Sequence, residues 1–159
     1  MSPSTSTRSI LPPPTYASLG VRTLINCRGT YTVLTGSRAL NTVAEAMAAA
    51  SDGYVVMDEL MAAVGRRLAE LTGAEWGYVS AGCAAALAEL TAACIAGADP
   101  EKMARLPDTE GMPDEVIIQA AHRNDYDRAM RLAGARMVEV VTLSQLQAAL
   151  SERTAMIAV

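Results

Sequence analysis

A chain of 159 residues has the length of one domain, and with 51% hydrophobic and 19% charged residues it can bury a core, which excludes a disordered acidic tail. The net charge of -4 and an isoelectric point near 5.0 oppose a nucleic-acid module, which carries a strongly basic face. Arg, Asp, Glu or Gly interrupts every apolar run before it reaches the roughly 18 residues that span a bilayer, so the sequence reads as soluble.

In chain order, residues 1–19 are rich in Ser, Thr and Pro and read as an extended or disordered arm ahead of a domain at 20–159. Residues 24–36 mix β-branched side chains with Gly29 and Gly36, which predicts short extended pieces and turns. Ser37 or Asn41 is placed to cap a helix through about Ala50. A second helix is expected from Asp58 to Leu71, where Leu60, Val64, Leu68 and Leu71 recur at helical spacing and Gly73 follows as a stop. Glu75 to Ser80 reads as a short strand carrying Trp76, Tyr78 and Val79. Gly82 to Ile95 reads as a helix of small residues closed by Gly97.

A long loop is expected over 98–114, followed by a buried strand at Val116-Ile117-Ile118. Asp125 to Leu132 predicts a helix stopped by Gly134, and Met137 to Val141 a further strand. Thr142 or Ser144 caps a helix over 143–152, before a last strand from Ala155 to Val159. Strands separated by single helices pair in parallel through right-handed crossovers, so the fold class is α/β with a parallel sheet. The sequence stops within an apolar strand, whereas strands of parallel sheets are covered on both faces. The expectation is a partial sheet and a sequence that has been cut.

Three places could carry chemistry. Ser80-Ala81-Gly82-Cys83-Ala84-Ala85 runs a strand into a helix through small residues, which lets a phosphate approach the free N–H groups of the helix start. A plain tight turn with an alanine packing face is the commoner meaning of such a string. His122-Arg123, with Tyr126, follows the strand ending at Gln119, on the side of an open sheet where ligands gather. A satisfied structural or surface histidine is the commoner meaning of the same residues. Leu106 to Pro113 forms a loop long enough to be a lid, or an exposed excursion. Asp58-Glu59 is accounted for by the helix dipole.

Lys102 is the one lysine and His122 the one histidine, so any chemistry needing either side chain has a single candidate. Cys27, Cys83 and Cys94 are odd in number and form no C-x-x-C pair, which supports neither a disulfide framework nor a zinc site. Unpaired thiols and the lack of a long apolar secretory core point to the cytoplasm.

Leu19-Gly20-Val21-Arg22, Ile25-Asn26, Gly29-Thr30, Thr72-Gly73-Ala74-Glu75, Tyr78-Val79-Ser80-Ala81-Gly82, Leu106-Pro107-Asp108-Thr109, Glu115 to Gln119 and His122-Arg123 occur in that order. Together they resemble the N-terminal part of pyridoxal-phosphate enzymes related to L-seryl-tRNA(Sec) selenium transferase, in the subgroup that includes D-glucosaminate-6-phosphate ammonia-lyase. The resemblance spans about residues 17–159. It implies the N-terminal part of the large domain of an aspartate-aminotransferase-like fold and a homo-oligomer when complete. It also implies a pyridoxal 5'-phosphate cofactor and a small-molecule amino-acid or amino-sugar-acid substrate.

In that resemblance Ala81, Gly82 and Cys83 hold the cofactor phosphate through backbone N–H groups, and His122 stacks on the pyridine ring. Two positions depart from the family pattern: Cys83 stands where many members carry Ala, and Thr35 replaces one glycine of a Gly-Gly-Ser turn. The Schiff-base lysine and the aspartate partner of the pyridinium nitrogen lie downstream of the matched region, and Lys102 is in the wrong place to serve. The resemblance therefore implies a lyase or transferase fragment that holds part of the phosphate site and is inactive alone. A non-catalytic truncated paralogue that pairs with a full-length subunit, and an unrelated small phosphate-binding module, are the alternatives.

Overall fold

A computed structural model describes residues 14–159, so most of the arm expected over 1–19 lies outside the described residues. The chain divides into two compact units that meet between Tyr54 and Val55.

The first unit is held by local hydrogen bonds. Thr15 and Ser18 exchange side-chain and backbone bonds across one turn. Asn26 Nδ2 donates to the Gly29 carbonyl at 2.7 Å while Asn26 Oδ1 accepts from the Arg28 N–H. Tyr31 and Gly36 bridge across a 3-10 turn at Thr32–Leu34, closed by Thr35 in the left-handed region at φ 67°. Arg28 lies 4.8 Å above the Tyr31 ring. Helix α1 spans Asn41–Ala50, but neither Ser37 nor Asn41 caps it: Leu40 occupies the N-cap with no side-chain bond. The cap rule fails here because Asn41 has already entered the helix and Ser37 stands too far back to reach its first N–H groups. No residue from 14 to 54 is buried.

The second unit carries the core. Helix α2 spans Met57–Thr72, with Asp58 and Glu59 in its first turn and Gly73 ending it at φ 74°, as expected. Helix α3 spans Cys83–Ala96 and stops at Gly97. Helix α4, Pro100–Arg105, then interrupts the expected loop: the Asp99 carboxylate accepts from the Glu101 and Lys102 N–H groups and Pro100 takes the first turn. Strand β1 is Glu115–Gln119, β2 is Arg136–Val140 and β3 is Thr154–Ala158. Between them lie α5, Asp127–Leu132, and α6, Leu143–Ala149. A capping box in which Thr142 and Gln145 satisfy each other's backbone N–H groups starts α6, so Thr142 rather than Ser144 is the cap.

The sheet is three-stranded and parallel, in the order β2-β1-β3, so the α/β class with helical crossovers holds. β1 lies in the middle and four of its five residues are buried. Val116 and Ile118 project into a cluster with Ile95 of α3, Met112, Met130 of α5 and Ala135. Ile117 alternates to the other face and is itself fully buried. α3 packs against α5 and β3, and α6 against β2.

One expected strand is absent. Residues 76–80 join no ladder, and Trp76, Tyr78 and Val79 each remain about half exposed. β-branched and aromatic residues favour extended backbone, yet a strand also needs a neighbour to receive its hydrogen bonds. The described sheet ends at β2 and β3 without offering one here.

Candidate functional site

The turn at Ser80 to Ala85 is built from below by two glycines. The Gly77 N–H donates to the Gly65 carbonyl of α2 at 3.1 Å, which brings the segment before the turn against the helix backbone. A Cβ on Gly65 would lie 2.5 Å from the Trp76 ring, and one on Gly77 would lie 2.2 Å from the Leu68 Cβ. Both positions therefore exclude any side chain. Beyond them, the Glu89 side chain on α3 holds the Tyr78 phenol pKa above its ordinary value, chiefly as a hydrogen-bond acceptor, with desolvation and the carboxylate charge adding less.

At the turn itself, the Ser80 hydroxyl donates to the Gly82 carbonyl at 2.9 Å. Gly82 has φ 144°, a conformation other residues rarely adopt, and nothing lies within 4 Å of where its Cβ would stand. Gly82 is the N-cap of α3 and no side chain caps that helix. The first helical bond runs from the Ala86 N–H to the Gly82 carbonyl at 2.9 Å, which leaves the N–H groups of Cys83, Ala84 and Ala85 facing outward from an exposed helix start. The arrangement fits a phosphate: a 14-residue helix behind it, small residues around it and no side chain capping the helix. The Cys83 thiol is exposed and free, like those of Cys27 and Cys94.

His122 stands in a 3-10 turn, Ala120–His122, which leaves the carboxyl end of β1. Its imidazole is exposed, and its carbonyl accepts from Asn124 Nδ2 at 3.0 Å. Ala81, Gly82 and Cys83 thus lie at the start of α3 while His122 lies after β1, and no hydrogen bond or ion pair among the described residues joins the two places. Tyr126 is also exposed and heads the short run into α5.

Two features escape a reading by motif. Arg123 forms ion pairs with Asp127 of α5 and Glu139 of β2. At the amino ends of the strands, Glu115 pairs with Arg136 and Arg153, and Asp114 with Arg153 at 2.8 Å, which raises the Arg153 pKa. Arg123 and Asp127 are four positions apart, a local spacing, but Arg123 and Glu139 are 16 apart, a distance no local pattern encodes. A groove of about 580 Å³ opens beside Thr109 to Asp114, Glu152 and Arg153. It lies at the amino ends of β1 and β3, opposite to where parallel sheets receive ligands, and its Arg153 is already paired with Asp114. The segment Leu106 to Pro113, expected as a lid or an exposed excursion, is anchored by Met112 in the core and by the Pro107 carbonyl, 2.4 Å from where a Gly134 Cβ would stand, while Pro107, Asp108, Glu110 and Gly111 stay exposed. Lys102 is half-buried in α4, away from either candidate segment in the chain. Among the described residues no group of His, Cys, Asp and Glu could hold a metal ion, and no helix is long and apolar enough to cross a membrane.

No family model matches the chain. It is 36% identical to the D-glucosaminate-6-phosphate ammonia lyase of Salmonella typhimurium (strain 14028s / SGSC 2262), over 90% of this chain and 41% of that protein. It is 35% identical to a 5'-C-glycyluridine monooxygenase-decarboxylase of a Streptomyces species, over 88% of this chain and 38% of that protein. The solved structure of a D-glucosaminate-6-phosphate ammonia-lyase superposes with a TM-score of 0.87 at 35% identity, over 92% of this chain and 42% of that one. The chain spans about two fifths of the length of each of these relatives, and over that length it is homologous in sequence and fold to an ammonia-lyase of an amino-sugar acid.

Proposed function

We propose that this chain contributes the cofactor-phosphate corner of a pyridoxal-phosphate-dependent lyase or transferase acting on an amino-acid or amino-sugar-acid substrate, on a fold of the aspartate-aminotransferase type. The observation that carries the reading is the match in sequence and in fold to D-glucosaminate-6-phosphate ammonia-lyase. The uncapped start of α3 at Gly82 supports it, because it falls where the resemblance to selenium-transferase-like enzymes puts the phosphate.

In this reading the Cys83 N–H takes a phosphate oxygen as the resemblance implies, and the N–H groups of Ala84 and Ala85 stand in for those of Ala81 and Gly82, because the Gly82 N–H is directed at the Ser80 hydroxyl oxygen at 3.4 Å; Gly82 turns the backbone so that the three face one way. Ser80 fixes that turn through the Gly82 carbonyl. His122 covers one face of the pyridine ring from the carboxyl end of β1. Bound there, the cofactor would supply an electron sink for a carbanion formed beside the substrate nitrogen. Lys102 is not the residue that carries the cofactor, so the 159-residue chain by itself turns over no substrate.

The test uses pyridoxine 5'-phosphate, whose alcohol cannot react with amines. Titrated into the isotope-labelled chain, it is expected to move the amide resonances of Cys83, Ala84 and Ala85 and the ring resonances of His122, whereas pyridoxine without phosphate leaves the amides unmoved. Amides that stay in place at saturating pyridoxine 5'-phosphate would overturn the reading. Turnover of an amino-sugar acid by the isolated chain would overturn its inactivity.

A further inference from the structure

The turn that carries His122 has little to hold it by packing: Ala120, Ala121, His122, Asn124, Asp125 and Tyr126 are all exposed. What ties it down is polar. Arg123 follows His122 directly, and its guanidinium reaches two elements at once: Nε pairs with Asp127 at the start of α5, and a terminal nitrogen pairs with Glu139 of β2. Asp127 is 4% exposed, so this is no solvated surface pair, and its other oxygen lies 3.6 Å from Arg131. Glu139 stands opposite Ile118 in the parallel register, one residue from the carboxyl end of β1. Asn124 adds a second tie, accepting from the Tyr126 N–H at 2.8 Å while it holds the His122 carbonyl.

We infer that Arg123 is a positioning residue for His122: it braces the turn after β1 against both α5 and β2 and so fixes where the imidazole stands. The role of His122 toward the pyridine ring rests on the function proposed above; the brace itself does not. A planar guanidinium suits the task because its fork can serve two carboxylates on different elements, which a lysine ammonium cannot do with the same fixity. The four charges facing one another, Arg123, Arg131, Asp127 and Glu139, balance, so the group stays in place without a counter-ion.

Because the chain has one histidine, its ring resonances report the turn without ambiguity. In Arg123→Met the His122 ring signals are expected to broaden and move toward those of an unstructured histidine, while the amides of β1 keep their positions. Pyridoxine 5'-phosphate affinity is expected to fall about tenfold if the held turn drops to about a tenth of the population. Affinity for inorganic phosphate at the Gly82 turn should not change. Arg123→Lys is expected to restore only part of the ring signal. Should Arg123→Met fail to fold, Glu139→Gln removes the exposed arm alone and is expected to move the His122 ring in the same direction, by less. Ring resonances unchanged from wild type, or changed only together with the β1 amides, would overturn the brace. If the wild-type chain does not bind pyridoxine 5'-phosphate, the cofactor reading falls and the ring resonances alone decide whether Arg123 positions the turn.

Discussion

The residues before Tyr54 and those after it solve the same problem by different means. From 14 to 54 the chain is ordered by bonds between near neighbours, Thr15 with Ser18, Asn26 with Gly29, Tyr31 with Gly36, and buries none of its side chains. From 55 onward, β1 is buried between two parallel neighbours and the helices close over it. Local bonds can fix a conformation, but most helix and strand stability comes from apolar area removed from water. A ten-residue helix such as α1, with no buried face, is marginal by that measure. The second unit should therefore be the cooperative one, and it is also the one that carries both candidate site segments.

The largest expected effect would break this contrast if it failed. Ile117→Ala should cost about 2–5 kcal/mol in urea unfolding, since it leaves a cavity in the middle strand, while Ile25→Ala, at a residue 91% exposed, should change stability by under about 0.5 kcal/mol. Comparable losses at the two positions would mean that the first unit shares the core. Next, a polypeptide of residues 55–159 should keep the circular dichroism and the slow amide exchange of β1, whereas α1 amides in the whole chain should exchange early. Asp127→Ala should cost about 1–3 kcal/mol by leaving Arg123 and Arg131 without their shared acceptor. Gly82→Val forces a β-branched residue to φ 144°, at a strain of about 1–3 kcal/mol; phosphate binding at the α3 start should vanish while the β1 amides hold their place.

The smallest effect is a titration. Glu89→Gln should bring the raised Tyr78 phenol pKa down toward its ordinary value, as read from the Tyr78 ring carbon resonance. The sign for stability follows from linkage. A phenol whose pKa is raised by folding contributes fully below its unfolded pKa, and that contribution is lost as pH climbs through the folded one. In Glu89→Gln this alkaline loss should shrink.

Much of the second unit was legible because its signals are local and agree. Leu60, Val64, Leu68 and Leu71 mark one helix, glycines 73, 97 and 134 mark stops, and Thr142 is one of two caps expected for α6. Asp99-Pro100-Glu101 spelled a helix start as clearly, but its helix is six residues long and leaves no periodic stripe to notice. The strand expected at 75–80 illustrates the opposite failure, an extended preference with no ladder partner among the described residues. The turn before α3 was visible as a run of small residues, and the backbone adds what letters cannot carry, the positive φ of Gly82 and a helix start with no side-chain cap. The Arg123 brace was invisible, because it needs the parallel register that brings Glu139 beside Ile118.

The contact between Gly65 and Gly77 has a mechanical consequence. A Cβ on Gly65 would meet the Trp76 ring and, at 2.8 Å, the Gly77 carbonyl oxygen, and the Gly77 N–H bonds the Gly65 carbonyl at 3.1 Å, so the segments touch with no room even for a methyl group. A shift of α2 along its axis would carry Trp76 and Gly77 with it, and through the short run that follows, the turn at Gly82. α2 is thereby tied to the segment that leads into α3, and a displacement of one is expected to be felt at the start of the other.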